Sequence, residues 1–280
     1  MLLVLDVGNS TTAIGVYDMK EKKLLRSWRM TSLRQTSDEI GLLLSNLMKS
    51  ADISPAEIDS AVMSSVVPAL DNLITEAIVN YFGIDCMRVS VELDLGIEVK
   101  YSAPKEVGAD RLVNAVAAVS KYGTGTPIIV IDYGTAITFD VISKDGAYLG
   151  GVIYPGLMTS IEALFGKTSK LPQVALEAPS AVIGQSTIEA IQSGVIYGNA
   201  GMTDRIVSMV KDQLGAKECK VIATGGHAEF MSRHAETIQQ VDDHLTLDGL
   251  RIIYERNGTV PKEGGMKQKL RFARTAPTTE

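Results

Sequence analysis

The chain has 280 residues, of which 45% are hydrophobic and 5% aromatic, and its formal net charge is −6 at pH 7. This length and apolar content predict one large or two medium folded domains with a core of aliphatic side chains. The negative charge, without a Lys/Arg block that alternates with aromatic residues, argues against nucleic acid and anionic membrane surfaces as partners.

The apolar segments and the cysteines indicate a cytoplasmic location. No apolar run reaches the ~18 residues that a membrane-spanning helix needs. Cys86 and Cys219 lie outside any Cys-x-x-Cys pair, so the sequence indicates neither a zinc site nor a redox motif. Unpaired cysteines in apolar segments are typical of buried thiols in a reducing compartment. We therefore expect a cytoplasmic protein that binds no membrane.

The first half of the chain predicts a strand-rich start followed by alternating helices and strands. The predicted strands are residues 2–5, 13–17, 24–30, 61–67 and 87–91. The predicted helices are residues 36–51, a second one beginning at 54, and residues 68–82 and 108–122. Thr36 with Glu39, and Ser54 with Glu57, form capping-box patterns at two of these helix starts. A Gly/Thr/Pro stretch at 123–127 then predicts a domain boundary.

The second half begins again with strands. The predicted strands are residues 128–131, 137–142, 146–154 and 221–224, and the predicted helices are residues 157–165 and 245–255. Residues 186–215 predict two more helices, broken near Gly198–Gly201. We expect two domains, 1–123 and 124–256. The Gly-, Lys- and Thr-rich segment 257–280 predicts a disordered tail.

A repeated motif connects the two halves. Residues 3–9 (LVLDVGN) and 129–135 (IVIDYGT) share an apolar triplet, an Asp, one further residue, a Gly and a polar residue. A repeat at this spacing predicts two related domains. In each copy the Gly permits a tight turn, the following amides and hydroxyls can bind phosphate, and the Asp can hold a cation. Two such turns facing each other would bind one nucleotide in a cleft.

This arrangement resembles the superfamily of acetate and sugar kinases, Hsp70-type ATPases and actin. The resemblance implies an α/β fold with two related RNase H-like domains, as in the actin-like ATPases, and a nucleotide cleft between them. Four ordered motifs narrow it to the type III pantothenate kinase family. They are Asp6–Asn9, Gly108–Arg111, Asp132–Thr138 with Asp140, and Gly150-Gly151 with Pro155-Gly156. The likeness covers about residues 1–256, and Ser10 stands where the family usually has Thr.

The resemblance implies a nucleotide site with two cations. The implied ATP contacts are Asp6, Val7, Gly8, Asn9, Ser10, Thr11, Thr12, Ala13 and Thr135. It further implies that Asp6 holds Mg²⁺ through water and that Asp132 holds a monovalent cation, K⁺ or NH₄⁺. From the residues alone, an Asp at a strand end is also an ordinary turn residue.

The resemblance also implies an acceptor site. Asp110 would be the general base. The implied pantothenate contacts are Tyr101, Gly108, Ala109, Asp110, Arg111 and Thr187, the last reaching the pocket of the other subunit in a homodimer. From the residues alone, Asp110 could be a helix N-cap, Arg111 a surface residue and Thr187 a helix cap.

The function implied is ATP-dependent phosphorylation of pantothenate to 4′-phosphopantothenate, the first step of coenzyme A biosynthesis. The alternatives are a kinase for another small hydroxylated metabolite, an Hsp70- or actin-like ATPase switch, and a transcription accessory protein. No complete Gly-x-x-x-x-Gly-Lys-[Ser/Thr] phosphate loop is present in the sequence, which argues against a P-loop kinase.

Overall fold

A computed structural model describes residues 1–258 of the chain. The predicted disordered tail therefore lies outside the described residues from position 259 onward. Asn257, assigned to that tail in the sequence analysis, is instead the last residue of a helix. Within the described part, no helix is both long and apolar enough to cross a membrane.

The described residues form ten strands and seven α-helices. The strand Gln240–Val241 and the helix Ala228–Met231 were not predicted from the sequence. The strands are β1 (Leu2–Val7), β2 (Thr11–Asp18), β3 (Lys23–Thr31), β4 (Ser60–Ser65), β5 (Cys86–Arg88), β6 (Ile128–Tyr133), β7 (Ala136–Ile142), β8 (Tyr148–Pro155), β9 (Lys220–Thr224) and β10 (Gln240–Val241). The helices are α1 (Ser37–Lys49), α2 (Pro68–Phe82), α3 (Ala109–Tyr122), α4 (Leu157–Lys167), α5 (Thr187–Leu214), α6 (Ala228–Met231) and α7 (Leu245–Asn257).

The ten strands form two five-stranded sheets with the same topology. The first has the order β3-β2-β1-β4-β5 and the second β8-β7-β6-β9-β10. In both sheets the first three strands are antiparallel, and the last two run parallel to the central strand. The predicted repeat is thus confirmed as a repeat of strand order and direction.

Alternating side chains of the central strands divide the core into layers. Leu2 and Val4 of β1 and Val130 of β6 belong to one apolar cluster with residues of α3 and α7, which lie between the sheets. The opposite face of the first sheet packs on α1 and α2. The opposite face of the second sheet packs on α4 and α5. Because successive strand residues point to opposite faces, uninterrupted apolar runs suit sheets covered on both sides.

Two helix predictions were wrong. Residues 187–214 form the single helix α5 of 28 residues, without a break near Gly198–Gly201. Glycine costs a helix about 1 kcal/mol per residue but creates no clash, and packing of Val195 and Val207 in the core opposes that cost. The capping box at Ser54 begins only a 3₁₀ turn, Pro55–Glu57, not a full helix.

Helix α7 covers the first sheet although it follows the second in sequence. Leu245 and Leu250 are buried in the cluster between the sheets. The hydroxyl of Tyr17 on β2 donates a 2.7 Å hydrogen bond to Asp248 on α7. The domain limits 1–123 and 124–256 stay a prediction, and α7 is the part of the second range that packs on the first sheet.

Candidate active site

The two repeated turns face each other. In the β1–β2 turn the Gly8 amide donates to the carbonyl of Thr11 at 3.1 Å, and in the β6–β7 turn the Gly134 amide donates to Ala136, also at 3.1 Å. A hydrogen bond of 2.7 Å joins Ser10 Oγ and Thr135 Oγ1, one hydroxyl from each turn. The polar tips of both predicted phosphate-binding turns therefore meet across one cleft.

The rest of the predicted phosphate loop differs in exposure. Asn9, Ser10 and Thr11 are exposed at the turn. The Val7 side chain is fully buried in the core, so only its backbone is available to a ligand. Thr12 is buried, and its hydroxyl is 2.9 Å from that of Ser32. The predicted contacts thus separate into exposed polar residues and buried residues that support the turn.

Asp6 and Asp132 occupy equivalent places, each near the end of a central strand. Ser64 of β4 donates to Asp6 Oδ1 at 2.6 Å. Asn114 of α3 donates to Asp132 Oδ2 at 3.1 Å. Both carboxylates are thus held by neutral donors and not by a basic partner, which leaves their negative charge uncompensated by these bonds.

Asp110 brings a third carboxyl group to the same cleft. Burial, followed by the charge of Asp110, raises the pKa of Asp6 to about 7. The same two causes raise the pKa of Asp132 to about 6. Burial also raises the pKa of Asp110 itself. Three half-buried carboxyl groups that repel one another favour the binding of cations or protons.

Asp110 lies in the first turn of α3 but is not its N-cap. Gly108 occupies the N-cap position, and no side chain caps the helix there. Asp110 Oδ1 accepts from the amide of Arg111 at 2.8 Å. A Cβ atom at position 108 would lie 2.5 Å from that same oxygen, so the glycine makes room for the Asp110 carboxylate.

Arg111 is buried in an ionic cluster, contrary to the surface alternative. Its Nε donates to Asp140 Oδ1 at 2.7 Å, and Tyr148 OH donates to the same oxygen at 3.0 Å. The guanidinium carbon lies 5.8 Å from the centre of the Tyr148 ring. The Tyr101 ring packs against Tyr148, with 6.3 Å between ring centres. Tyr101 and Arg111, both predicted acceptor contacts, are therefore linked through Tyr148.

Thr187 is not part of this cluster within one chain. It is the first residue of α5, where Ser186 and Glu189 form a capping box. It lines a cavity of about 440 Å³ between α4, α5 and β8. That cavity contains neither Tyr101 nor any residue of 108–111, so a single chain does not bring Thr187 to the other predicted acceptor contacts.

Comparison with known proteins now identifies the family. The model of the type III pantothenate kinase family matches residues 2–209. A type III pantothenate kinase from Citrifermentans bemidjiense is 45% identical over 258 residues, which cover 92% of this chain and 100% of that protein. One from Geobacter sulfurreducens is 44% identical and covers 92% of this chain and 99% of its own length. The chain belongs to the type III pantothenate kinase family.

Solved structures with low identity support the same fold. The ethanolamine utilization protein EutJ from Carboxydothermus hydrogenoformans superposes with a TM-score of 0.52 at 16% identity, covering 90% of this chain and 89% of that one. The inorganic polyphosphate/ATP-glucomannokinase from Arthrobacter sp. strain KM gives 0.50 at 13%, covering 91% and 99%. With the repeated sheets, these likenesses confirm the predicted fold of two actin-like ATPase domains.

Three residues that contact the predicted site residues were absent from the sequence prediction. Ser64 pairs with Asp6 in the β1–β4 register, so its place follows once β4 is known to run beside β1. Asn114 stands four residues after Asp110, on the same face of α3, which a helical spacing could have indicated. Tyr148 begins β8, and no local pattern links it to Arg111.

Proposed function

We propose that this chain transfers the γ-phosphoryl group of ATP to the hydroxyl group of pantothenate, giving 4′-phosphopantothenate for coenzyme A biosynthesis, with Asp110 as the general base. Membership of the pantothenate kinase family supports the reaction. The observation that carries the role of Asp110 is its place at the start of α3, where Gly108 makes room for its carboxylate, beside the half-buried carboxyl groups of Asp6 and Asp132. Its charge raises the pKa of both.

The geometry of Asp110 suits proton transfer. Its Oδ1 accepts from the Arg111 amide, and we assign the substrate proton to Oδ2. Burial raises its pKa, which brings a carboxylate closer to the pH at which it must accept a proton. In phosphoryl transfer the main contributions are positioning and charge stabilisation, with a base that orients the attacking hydroxyl. Gly108, Ala109 and Tyr101 would form the walls of the acceptor pocket.

The two turns would hold the phosphate groups. Gly8 and Gly134 allow close approach, and exposed hydroxyl and amide groups lie at both turns. The 2.7 Å bond between Ser10 and Thr135 would be replaced by bonds from each hydroxyl to phosphate oxygens. ATP would therefore connect the two domains at the point where they already touch.

The cleft carboxylates fit the cations that the family implies. Carboxylate oxygen is the ligand type that Mg²⁺ and other hard cations prefer, and Mg²⁺ commonly uses one or two carboxylates plus substrate phosphates. Within residues 1–258 no three His, Cys, Asp or Glu side chains form a metal cluster. Asp6 would hold Mg²⁺ through water and Asp132 would hold K⁺ or NH₄⁺. When bound, Mg²⁺ neutralises charge on the phosphate oxygens.

We further propose a cytoplasmic homodimer in which Thr187 completes the acceptor pocket of the second subunit. Exposed aliphatic side chains lie next in sequence to residues that line the Thr187 cavity: Ile153, beside Tyr154, is 64% exposed, and Ile188, beside Thr187, is 47% exposed. Clusters of exposed aliphatic side chains of this kind are typical of protein interfaces. A second copy bound at this surface would give Thr187 the acceptor contact that it lacks within one chain.

The test is an ADP-release assay with pantothenate and a panel of other small hydroxylated metabolites. We expect Asp110→Asn to lower kcat by ~10²–10⁴-fold with unchanged ATP affinity, because asparagine keeps the shape but cannot accept the proton. Asp145→Asn, at an exposed turn between β7 and β8, makes the same substitution outside the site and should leave turnover unchanged.

The assay also separates the alternative functions. Turnover of Asp110→Asn within about threefold of wild type would remove Asp110 from the role of base. Activity with another member of the panel and none with pantothenate would indicate a different metabolite kinase. ADP release that no acceptor accelerates would favour a regulatory ATPase.

A further inference from the structure

Asp140 is a buried carboxylate that the proposed reaction does not use. It lies on β7 with 0% of its surface exposed. Its Oδ1 accepts from Arg111 Nε and Tyr148 OH, and its Oδ2 accepts from Thr138 Oγ1 at 3.3 Å. Both oxygens are therefore occupied by protein donors. Because Asp140 is fully buried and bound to these donors, an acceptor does not reach it directly, and any effect on the reaction must pass through its partners.

Of these partners, Arg111 still has a hydrogen-bond donor that no protein group in the described residues accepts. Asp140 binds only its Nε, while Nη2 is buried and has no hydrogen-bond partner among residues 1–258. A buried N–H group without an acceptor is costly, and such groups often find their acceptor in a ligand. The ionic contact with Asp140 thus orients the guanidinium without using all of its donors.

Strand β8, which follows β7, packs closely against Arg111 and Tyr101. A Cβ atom at position 151 would collide with the carbonyl oxygen of Phe139 and lie 2.7 Å from Arg111 Nη2. Gly150 has a φ of +113°, and a Cβ there would lie 3.2 Å from the Tyr101 ring. The two glycines bring the β8 backbone against both predicted acceptor contacts, so the guanidinium has little freedom to move.

We propose that Asp140 is a positioning residue which, with Tyr148, fixes the Arg111 guanidinium so that its remaining N–H groups bind an oxygen of the acceptor substrate. This inference rests on the proposed function, because it assumes that Arg111 lies in the acceptor pocket. It goes beyond the proposed function by giving the aspartates different roles. Asp6 and Asp132 act on nucleotide and cation binding, whereas Asp140 acts on the affinity for the acceptor.

The consequence is a separation of kinetic constants. Asp140→Asn should raise KM for pantothenate by ~10–100-fold, with kcat and the KM for ATP within about threefold of wild type, because uniform binding is lost and the base is untouched. Tyr148→Phe removes one hydroxyl and keeps the ring under the guanidinium, so we expect a smaller rise in KM of ~3–10-fold.

A matched control is available at Tyr17. Tyr17 is as buried as Tyr148, and its hydroxyl also donates to an aspartate, Asp248, but that pair lies between β2 and α7. Tyr17→Phe should leave the KM for pantothenate unchanged. The thermal unfolding of all three variants reports any general loss of stability.

The decisive measurement is a double-mutant cycle with Arg111→Ala. If Asp140 acts through Arg111, adding Asp140→Asn to Arg111→Ala should raise KM no further. Multiplied effects, or a fall in kcat at unchanged KM, would overturn the proposal. If Asp140→Asn does not fold, an unchanged KM in Tyr148→Phe overturns it equally.

The wild-type assay keeps this inference separate from the proposed function. Wild type that ignores pantothenate and phosphorylates another acceptor refutes pantothenate as substrate, and the same cycle is then measured with that acceptor. A normal pantothenate activity together with independent effects of Asp140 and Arg111 refutes only the positioning role.

Discussion

The two halves of the molecule share one strand topology but hold their key aspartates differently. Asp6 is held by Ser64, its neighbour in the same sheet. Asp132 has Thr224 as its neighbour across the sheet but is held by Asn114 from α3, and Asn114 in turn accepts from Thr246 of α7. The first aspartate is therefore supported within its own sheet. The second is supported by two helices packed between the sheets. The position of Asp132 therefore depends on the packing of α3 and α7 against both halves.

The edge strands of the two sheets differ in a second way. β3 exposes Lys23, Arg26 and Arg29, whereas β8, its counterpart, exposes Ile153 and Tyr154. Charged edges resist association, and exposed apolar edges promote it. The same topological position is thus suited to solvent in one half and to a protein contact in the other. This difference assigns the proposed subunit contact to the second half.

The largest effect should come from testing that assignment with mixed subunits. Asp110→Asn and Thr187→Ala chains should each be nearly inactive alone. In an equal mixture about a quarter of the pockets should recover, because half of the dimers are mixed and each of these has one intact pocket.

Two results would contradict the subunit assignment. The first is no recovery in the mixture despite demonstrated subunit exchange. The second is wild type that sediments as a monomer at the assay concentration with full activity. In either case the apolar edge of the second half would need another explanation.

A smaller effect is expected in the dependence of the rate on the monovalent cation, which should involve Asp132 and not Asp6. Wild type should be on the order of tenfold more active in K⁺ or NH₄⁺ than in Na⁺ at equal ionic strength, if a monovalent cation offsets the buried charge of Asp132. Asp132→Asn should remove this preference. Asp6→Asn should lower the overall rate and keep the preference, and rates that are equal in all three salts for wild type would reject the cation site.

The smallest effect should appear in stability without nucleotide or Mg²⁺. A pKa raised to about 7 means that folded Asp6 holds its proton more tightly than the unfolded chain does. That stabilisation is complete below the unfolded pKa and is lost as pH rises through about 7. The melting temperature should therefore fall by a few degrees, about 2–4 °C per kcal/mol, as pH rises from about 5 to 8.

Substitution at each aspartate sharpens the stability comparison. Asp6→Asn should flatten this pH dependence and raise the melting temperature at pH 8. Asp132→Asn should do the same to a lesser extent, since the pKa of Asp132 rises only to about 6. A pH dependence unchanged by either substitution would mean that these carboxyl groups do not repel as the geometry indicates.

Local patterns explain what could be predicted from the sequence. The Asp-x-Gly turns and the capping box at Thr36 and Glu39 depend on residues within one short segment, and both are present. The continuity of α5 could not be predicted in this way, because its glycines lower helix propensity locally while packing against the second sheet sustains the helix.

Contacts between distant segments explain what could not be predicted. The family motifs contained both Arg111 and Asp140, but nothing in their spacing indicated a buried ion pair between a helix and a strand. Asn114 could have been found from its helical spacing to Asp110. The contact of Tyr148 with Arg111 and Asp140 needs the packing of α3 on the second sheet. Thr187 is the extreme case, since its proposed partner lies on another chain.

The position of helix α7 at the end of the described chain affects the order in which the two halves can complete their folding. Tyr17 reaches Asp248, 231 positions later, and Asn114 reaches Thr246, 132 positions later. Synthesis proceeds from the N-terminus, and contacts between such distant positions are slow to form. While the ribosome translates the whole second sheet, the first sheet therefore still exposes the apolar face that α7 later covers. The first half is thus synthesised first, but its core is complete only after α7 has been synthesised.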